Sequence, residues 1–178
     1  KGTNAVIYLI KNKEKNTLSV LKVHKKREKI NIKYLSDIIH KQLDHQNIIK
    51  IHDYIESENY ILILMEYIDN DLFNIIQEFH VNDIYISEFR ASIYIEQIVN
   101  GMKYLYDTFK LIHRDIKPEN ILIDIDDNIK IIDFEYSTTN QHPYDICGTL
   151  DYIAPELYKK NNPYDYKIDI WSLGVLVY

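Results

Sequence analysis

The 178-residue chain has one cysteine, four glycines, four prolines and one tryptophan. A single thiol, Cys147, excludes an internal disulfide framework and points to a reducing, intracellular compartment. Cys147 reads as an ordinary thiol. No internal repeat or low-complexity linker interrupts the sequence. No apolar run approaches the roughly 20 residues that cross a bilayer, and the N-terminus has no charged-then-apolar signal pattern, so no membrane insertion is expected. Cations are in deficit: 21 Lys and Arg against 27 Asp and Glu give a formal charge of −6. That balance argues against nucleic acid as a partner and suits basic protein substrates, although an acidic surface that aids solubility accounts for it equally well.

What is present is a globular composition, 46% hydrophobic and 27% charged, with Ile, Asn, Lys and Tyr heavily used. The length allows one domain, or two small lobes sharing a cleft. Residues 5–10 and 18–23 are β-rich runs around a polar turn and predict a hairpin. Ile32, Leu35, Ile39 and Leu43 recur at helical spacing, and residues 48–55 and 60–67 predict two further strands. Four strands and one helix make a small α+β unit. Beyond Tyr67 the pattern is helical. A short helix is expected over 72–79 and a long one over 87–109, with Ser87 as N-cap and Phe89, Ile93, Ile98, Met102, Leu105 and Phe109 on one face. Two apolar runs at 121–125 and 129–132 flank the turn Asp126-Asp127-Asn128. Periodicity is lost over 136–151 and returns at 168–178.

The run His113-Arg114-Asp115-Ile116-Lys117-Pro118-Glu119-Asn120 stands at the centre of an ordered series. Lys22 lies upstream in an apolar strand. Downstream come Asp133-Phe134-Glu135, Cys147-Gly148-Thr149, Ala154-Pro155-Glu156 and Asp169-Ile170-Trp171-Ser172. A lone lysine in a strand is ordinarily a solvated edge charge and a lone aspartate in a loop a turn former. The ordered set instead resembles the eukaryotic protein kinase family over essentially the whole chain. The resemblance implies a bilobal α+β fold truncated at both ends: a small β-rich lobe over 1–67 lacking its first strand, and a partial, mainly helical lobe over 68–178 ending in a long buried helix. Lys1-Gly2-Thr3-Asn4-Ala5 resembles the second half of a glycine-rich phosphate loop, with Ala5 at the third glycine. The sequence therefore reads as a fragment, and residues 1–178 alone are expected to be poorly soluble or inactive.

Phosphoryl transfer requires the phosphates, Mg²⁺ and the acceptor hydroxyl to be held in line while charge is neutralised. The resemblance implies ATP as the donor and a protein Ser or Thr as the acceptor, and leaves room for an activating partner protein. Asp115 would be the catalytic base and Lys117 would stand near the transferred phosphate. Asn120 and Asp133 are the implied Mg²⁺ ligands. Lys22 would grip the α- and β-phosphates and Gly2 would let backbone approach them. Adenine would lie among Ile7, Val20 and Leu122, with Met65 before the segment Glu66-Tyr67-Ile68, whose backbone would bond the base. His113 takes a packing and hydrogen-bonding role.

Cys147-Gly148-Thr149-Leu150-Asp151-Tyr152 and Trp171-Ser172-Leu173-Gly174-Val175-Leu176 resemble the Aurora group of Ser/Thr kinases, with polo-like and calcium/calmodulin-related kinases sharing much of the pattern. Three positions depart from it. Glu135 replaces the usual glycine of the metal-side triplet. Ser36 and Asp37 stand where a helix glutamate would pair with Lys22, and Glu28 is about two helical turns away. Asp145 occupies an Aurora phosphothreonine position, where it either pairs with Arg114 constitutively or is a surface loop acid. These departures keep open a pseudokinase, a kinase-shaped nucleotide-binding or scaffold module. Asp69, Asp71 and Glu119 either favour basic residues near the acceptor or are solvated acids.

Overall fold

The computed structural model describes residues 5–26, 43–159 and 162–178. Gly2, Glu28 and residues 32–42 of the expected helix, with Ser36 and Asp37, lie outside the described residues, and Leu43 is not helical. The chain divides into two compact units, one of residues 1–45 with 49–68, the other of residues 46–48 with 69–178.

The first unit is a four-stranded antiparallel sheet in the order β1-β2-β4-β3, from strands β1 (Ala5–Lys11), β2 (Leu18–Lys25), β3 (Ile51–Glu56) and β4 (Tyr60–Glu66). The β1–β2 turn is closed by Asn12, whose Oδ1 accepts from the amides of Glu14 and Lys15 at 2.9 and 3.0 Å. Asn16 supplies the left-handed residue there, at φ 54°, a conformation that asparagine tolerates better than β-branched residues. The third strand starts at Ile51, not at Ile48 as periodicity suggested. The reason is local: the β3–β4 register shifts between Ile51 and Asp53, while Ile48 belongs to the second unit and forms a parallel bridge to Ile131 there.

The second unit holds helix α1 (Leu72–Val81), helix α2 (Glu88–Phe109), helix α3 (Lys167–Val177) and a three-stranded sheet of β5 (Asn70–Asp71), β6 (Ile121–Ile123) and β7 (Ile129–Ile131). The first two helices each begin at a side-chain cap, Asp71 bonding the Asn74 amide at 2.7 Å and Ser87 that of Arg90 at 3.2 Å. Such a cap stabilises a helix by about 1 kcal/mol. Lys110 ends α2 in the left-handed region.

The buried stripe of α2 is Tyr94, Ile98, Gly101 and Leu105. Phe89 is 76% exposed and Ile93 36%, so the apolar face expected from the large hydrophobics is rotated and begins later. Gly101 is the cause. A Cβ there would come within 2.9 Å of Ile131 Cδ1 and 3.1 Å of the Asn47 carbonyl oxygen, so the helix makes its closest approach where it carries no side chain. Its first turn is fixed from outside: Arg90 Nε and Nη2 donate to Asp127 at 3.1 and 2.5 Å, and the Tyr94 hydroxyl donates to the same carboxylate. Asp127, at φ 67°, is thus both the β6–β7 turn residue and the clamp for α2. The core at the sheet is almost entirely isoleucine, with Ile98, Ile112, Ile116, Ile121, Ile129 and Ile131 fully buried. β-branched side chains pack well on a pleated surface, which suits this composition to short buried strands. No helix among the described residues is long and apolar enough to cross a membrane.

Candidate active site

In the first unit, one sheet face carries the expected nucleotide-side residues. Residues directly opposite across antiparallel strands project to the same face, and Ile7 stands opposite Lys22, Val20 opposite Met65, and Lys22 opposite Ile63. Lys22 is only 9% exposed while Ile7 is 66% exposed. Burying an ammonium is costly without compensation, and this burial sets Lys22 apart from the solvated lysines at strand edges. Glu66 and Ile68 are partly buried at and beyond the end of β4. The Glu66 carboxylate is engaged by the Lys50 amide at 2.8 Å, and the Glu66 amide donates to the Lys50 carbonyl at 3.0 Å.

The second unit brings Asp115, Lys117, Asn120 and Asp133 together around one loop. The loop leaves α2, turns at Arg114 and re-enters the fold as the 3₁₀ turn Pro118–Asn120 before β6. Arg114 has φ 70°, and a non-glycine residue there carries about 1–2 kcal/mol of strain. Asp169 on α3 holds that geometry, its Oδ2 accepting from the His113 amide at 2.7 Å and its Oδ1 from the Arg114 amide at 2.8 Å. Burial raises the Asp169 pKa, while the His113 and Arg114 amides act in the opposite direction. The His113 ring completes the brace: Nδ1 accepts from the Asp115 amide at 3.2 Å, and Nε2 lies 3.0 Å from the Ile132 carbonyl. An amide can only donate and a carbonyl only accept, so the ring is the neutral Nε2–H tautomer. It also meets Phe134 edge-on at 5.5 Å.

The Asp115 carboxylate, 5% exposed, is held at both oxygens. Thr149 Oγ1 donates to Oδ1 at 2.8 Å, Asn120 Nδ2 donates to Oδ2 at 2.9 Å, and Lys117 Nζ stands 3.0 Å from Oδ2. Lys117 also donates to Thr149 Oγ1 at 2.7 Å. A carboxylate, a cation and a hydroxyl thus form one closed cluster in which every member has two partners. Asn120 Nδ2 donates to the Asp115 carbonyl as well, at 2.8 Å, so Oδ1 is the atom of this amide suited to a metal. The Ile132 amide donates to the Asn120 carbonyl at 3.0 Å, so Asp133 follows directly on the backbone contact of Asn120. A neutral amide oxygen and a carboxylate are hard donors that fit Mg²⁺, which takes one or two carboxylates and fills its other positions with water and phosphate oxygens. No cluster of three or more His, Cys, Asp or Glu ligands occurs among the described residues. Leu122 lies just beyond in β6, partly buried.

Several readings resolve here. Glu135 is absent from the residues with left-handed backbone, whereas Asp133 is in that region at φ 65°; in this conformation the triplet places its unusual angle on the aspartate, not on the position where glycine is usual. Asp145 pairs with Arg114, Nη1 to Oδ1 at 2.7 Å. Asp71 caps α1, accepting from the Asn74 amide. Cys147 departs from the ordinary thiol expected of it: burial pushes its pKa up to about 11. The residues that sequence reasoning left without a role are Asp169 and Tyr164. Asp169 had a readable signal, an acid between Ile168 and Ile170 on an apolar helix, where burial without a partner would be prohibitive.

The protein kinase domain family model matches residues 1–178. The chain is 33% identical over 186 residues to an Aurora kinase of Yarrowia lipolytica, and 35% identical over 188 residues to an Aurora kinase of Saccharomyces cerevisiae. It is also 33% identical over 186 residues to the probable serine/threonine-protein kinase PLK of Dictyostelium discoideum. Each match covers all of this chain, but 48%, 49% and 18% of the respective relatives, so the chain spans about half the length of the Aurora kinases it matches. With its full length matched and the motif residues clustered as described, the chain belongs to the protein kinase family.

Proposed function

We propose that the chain forms the catalytic part of an Aurora-like protein serine/threonine kinase, transferring the γ-phosphoryl group of ATP to a Ser or Thr hydroxyl of a protein. The observation that carries this reading is the Asp115 carboxylate, buried and fixed at both oxygens by Thr149, Asn120 and Lys117. A turn-forming aspartate has no need of such a shell; a base that must meet an incoming hydroxyl in one orientation does. The acceptor proton passes to Asp115 as the acceptor oxygen bonds phosphorus and the bond from phosphorus to the β-phosphate oxygen breaks. Lys117 lies beside the base and stabilises charge that develops on the transferred group. Thr149, between the two, keeps their separation fixed. Asn120 Oδ1 and Asp133 would hold Mg²⁺, which supplies neutralisation of phosphate charge when bound. Lys22, with Ile7, Val20 and Gly2 of the first unit, would serve the nucleotide, as would Glu66, Ile68 and Leu122.

The scaffold reading rests on the absence of a helix glutamate at Ser36 and Asp37, which lie outside the described residues, and on Glu135. Its support is reduced by the ordinary backbone at that position and by the intact shell around Asp115. Phosphate transfer by the full-length protein is the test, compared with an Asp115→Asn variant. Loss of at least a hundredfold is expected, the scale of a positioned acid or base. Equal transfer by both proteins would defeat the catalytic assignment.

A further inference from the structure

Three chain segments distant in sequence meet at the Arg114 guanidinium, whose side chain is 9% exposed. Nε donates to the Tyr136 carbonyl, and Nη1 donates to Asp145 Oδ1 at 2.7 Å and to the Tyr164 hydroxyl at 2.8 Å. Tyr164 passes its own proton on, to the Asp145 carbonyl at 2.7 Å, and its backbone amide donates to the Pro143 carbonyl at 3.0 Å. One tyrosine therefore fastens residues 143–145 by main chain and hydroxyl together. Its ring is 5% exposed and packs with Ile112, Ala154, Leu157 and Ile168, so the hydroxyl is placed by the core. Burial also pushes the phenol pKa well above its usual value, which keeps the donor proton in place at neutral pH.

The Asp145 side chain is 60% exposed. An ion pair open to water on one side is worth about 1 kcal/mol at most, too little to order a loop alone. Tyr164 supplies what the pair lacks, since it bonds both the guanidinium and the backbone of the carboxylate's own residue. From Asp145 the chain runs through Cys147 to Gly148, which packs on the Arg114 carbonyl, and to Thr149, which bonds Asp115. The stretch that touches Asp115 is thus anchored four residues earlier on the residue adjacent to Asp115.

We propose that Tyr164 is a positioning residue for the reaction at Asp115: its hydroxyl latches residues 143–149 through Arg114 and Asp145, so that Thr149 stays on Asp115 with no covalent modification of the segment. The proposal rests on the reading of Asp115 as the base, and the test separates the two. In the full-length protein, Tyr164→Phe keeps the ring and removes only the hydroxyl. It should lower kcat roughly tenfold, the rate equivalent of one charge-assisted hydrogen bond, with KM for ATP unchanged. Amide hydrogen exchange should quicken across 144–149 while α2 stays protected. Asp145→Asn should do the same, and the double variant should be no worse than the more severe single one, because both act through Arg114. Tyr144→Phe, at an exposed neighbouring ring, is the control. The proposal is overturned if Tyr164→Phe leaves kcat within twofold while Asp115→Asn abolishes transfer, or if the two effects multiply. It also fails if protection falls equally over α2, which would mark a structural role alone. Should Asp115→Asn transfer phosphate like the parent, the base reading fails, and unchanged or faster exchange at 144–149 still decides the latch.

Discussion

Gly148→Ala tests whether the Asp115 loop and the segment ahead of Thr149 are built as one piece. Gly148 has φ 97°, and a Cβ placed there would stand 2.6 Å from the Arg114 carbonyl oxygen. A carbon and an oxygen in ordinary contact need about 3.4 Å, so roughly 0.8 Å must be found. The Arg114 side cannot yield, since its amide and that of His113 are both held by the buried Asp169 carboxylate. Residue 148 must therefore move and take Thr149 with it. The left-handed backbone costs an alanine about 1–3 kcal/mol. The displaced Thr149 bond to an ionised partner adds about 1.5 kcal/mol, and the stiffer unfolded chain returns about 0.5–1 kcal/mol. The net expectation is a destabilisation of about 2–3 kcal/mol, or about 5–10 °C in melting temperature for a chain of this size. Thermal melting of the full-length protein measures it, with steady-state phosphate transfer at a temperature where both proteins are folded. Transfer should fall by at least tenfold, the equivalent of about 1.4 kcal/mol. If Gly148→Ala melts with the parent and retains activity, the rigid coupling of the two segments is wrong.

Further outcomes follow from the caps and clamps. Lys110→Gly should stabilise by about 1 kcal/mol, because Lys110 ends α2 at φ 55° where glycine carries no strain; denaturant unfolding measures it. Asp127→Ala should cost about 1–2 kcal/mol through the lost Arg90 and Tyr94 bonds, discounted for a half-exposed site. The hydrogen bond from Arg90 lowers the Asp127 pKa below 3.8, so this stabilisation is full above that unfolded value and is lost as pH falls through the folded one; the alanine variant should flatten that part of the pH–stability curve. Cys147, with its pKa near 11 against an ordinary 9.0, should be alkylated about a hundredfold more slowly at pH 8 than a free cysteine. Iodoacetamide labelling followed by mass spectrometry reads this directly.

The elements were legible because their signals are local. Ser87 capping α2 and the polar turn before Leu18 are written within a few residues of where they act. The buried stripe of α2 was misread because periodicity rewards large apolar side chains, whereas the contact is made by Gly101, whose value is the absence of one. Asp115, Lys117 and Asn120 were singled out by their order along the chain, and their side chains meet in one cluster, while Asp133 follows the residue whose amide bonds Asn120. Their supports were not legible. Asp169 lies 55 residues from the Arg114 amide it accepts, and Tyr164 lies 50 from the guanidinium it bonds. Such partnerships are chosen by the fold, and no spacing rule within one helix or strand contains them.

The short stretch Gln46–Ile48 belongs with the second unit although the first unit resumes at Ile49. Asn47 donates through its side chain to the Ile129 carbonyl, 82 residues onward, and its own carbonyl accepts from the Ile131 amide. During synthesis Asn47 therefore leaves the ribosome long before β7 exists, at about 5–20 residues per second a wait of several seconds. The Ile-rich centre of the second unit cannot close over that interval. Nor can one cut release either unit whole: a chain begun at residue 69 would carry β7 and Gly101 but not the peptide that both were shaped to receive.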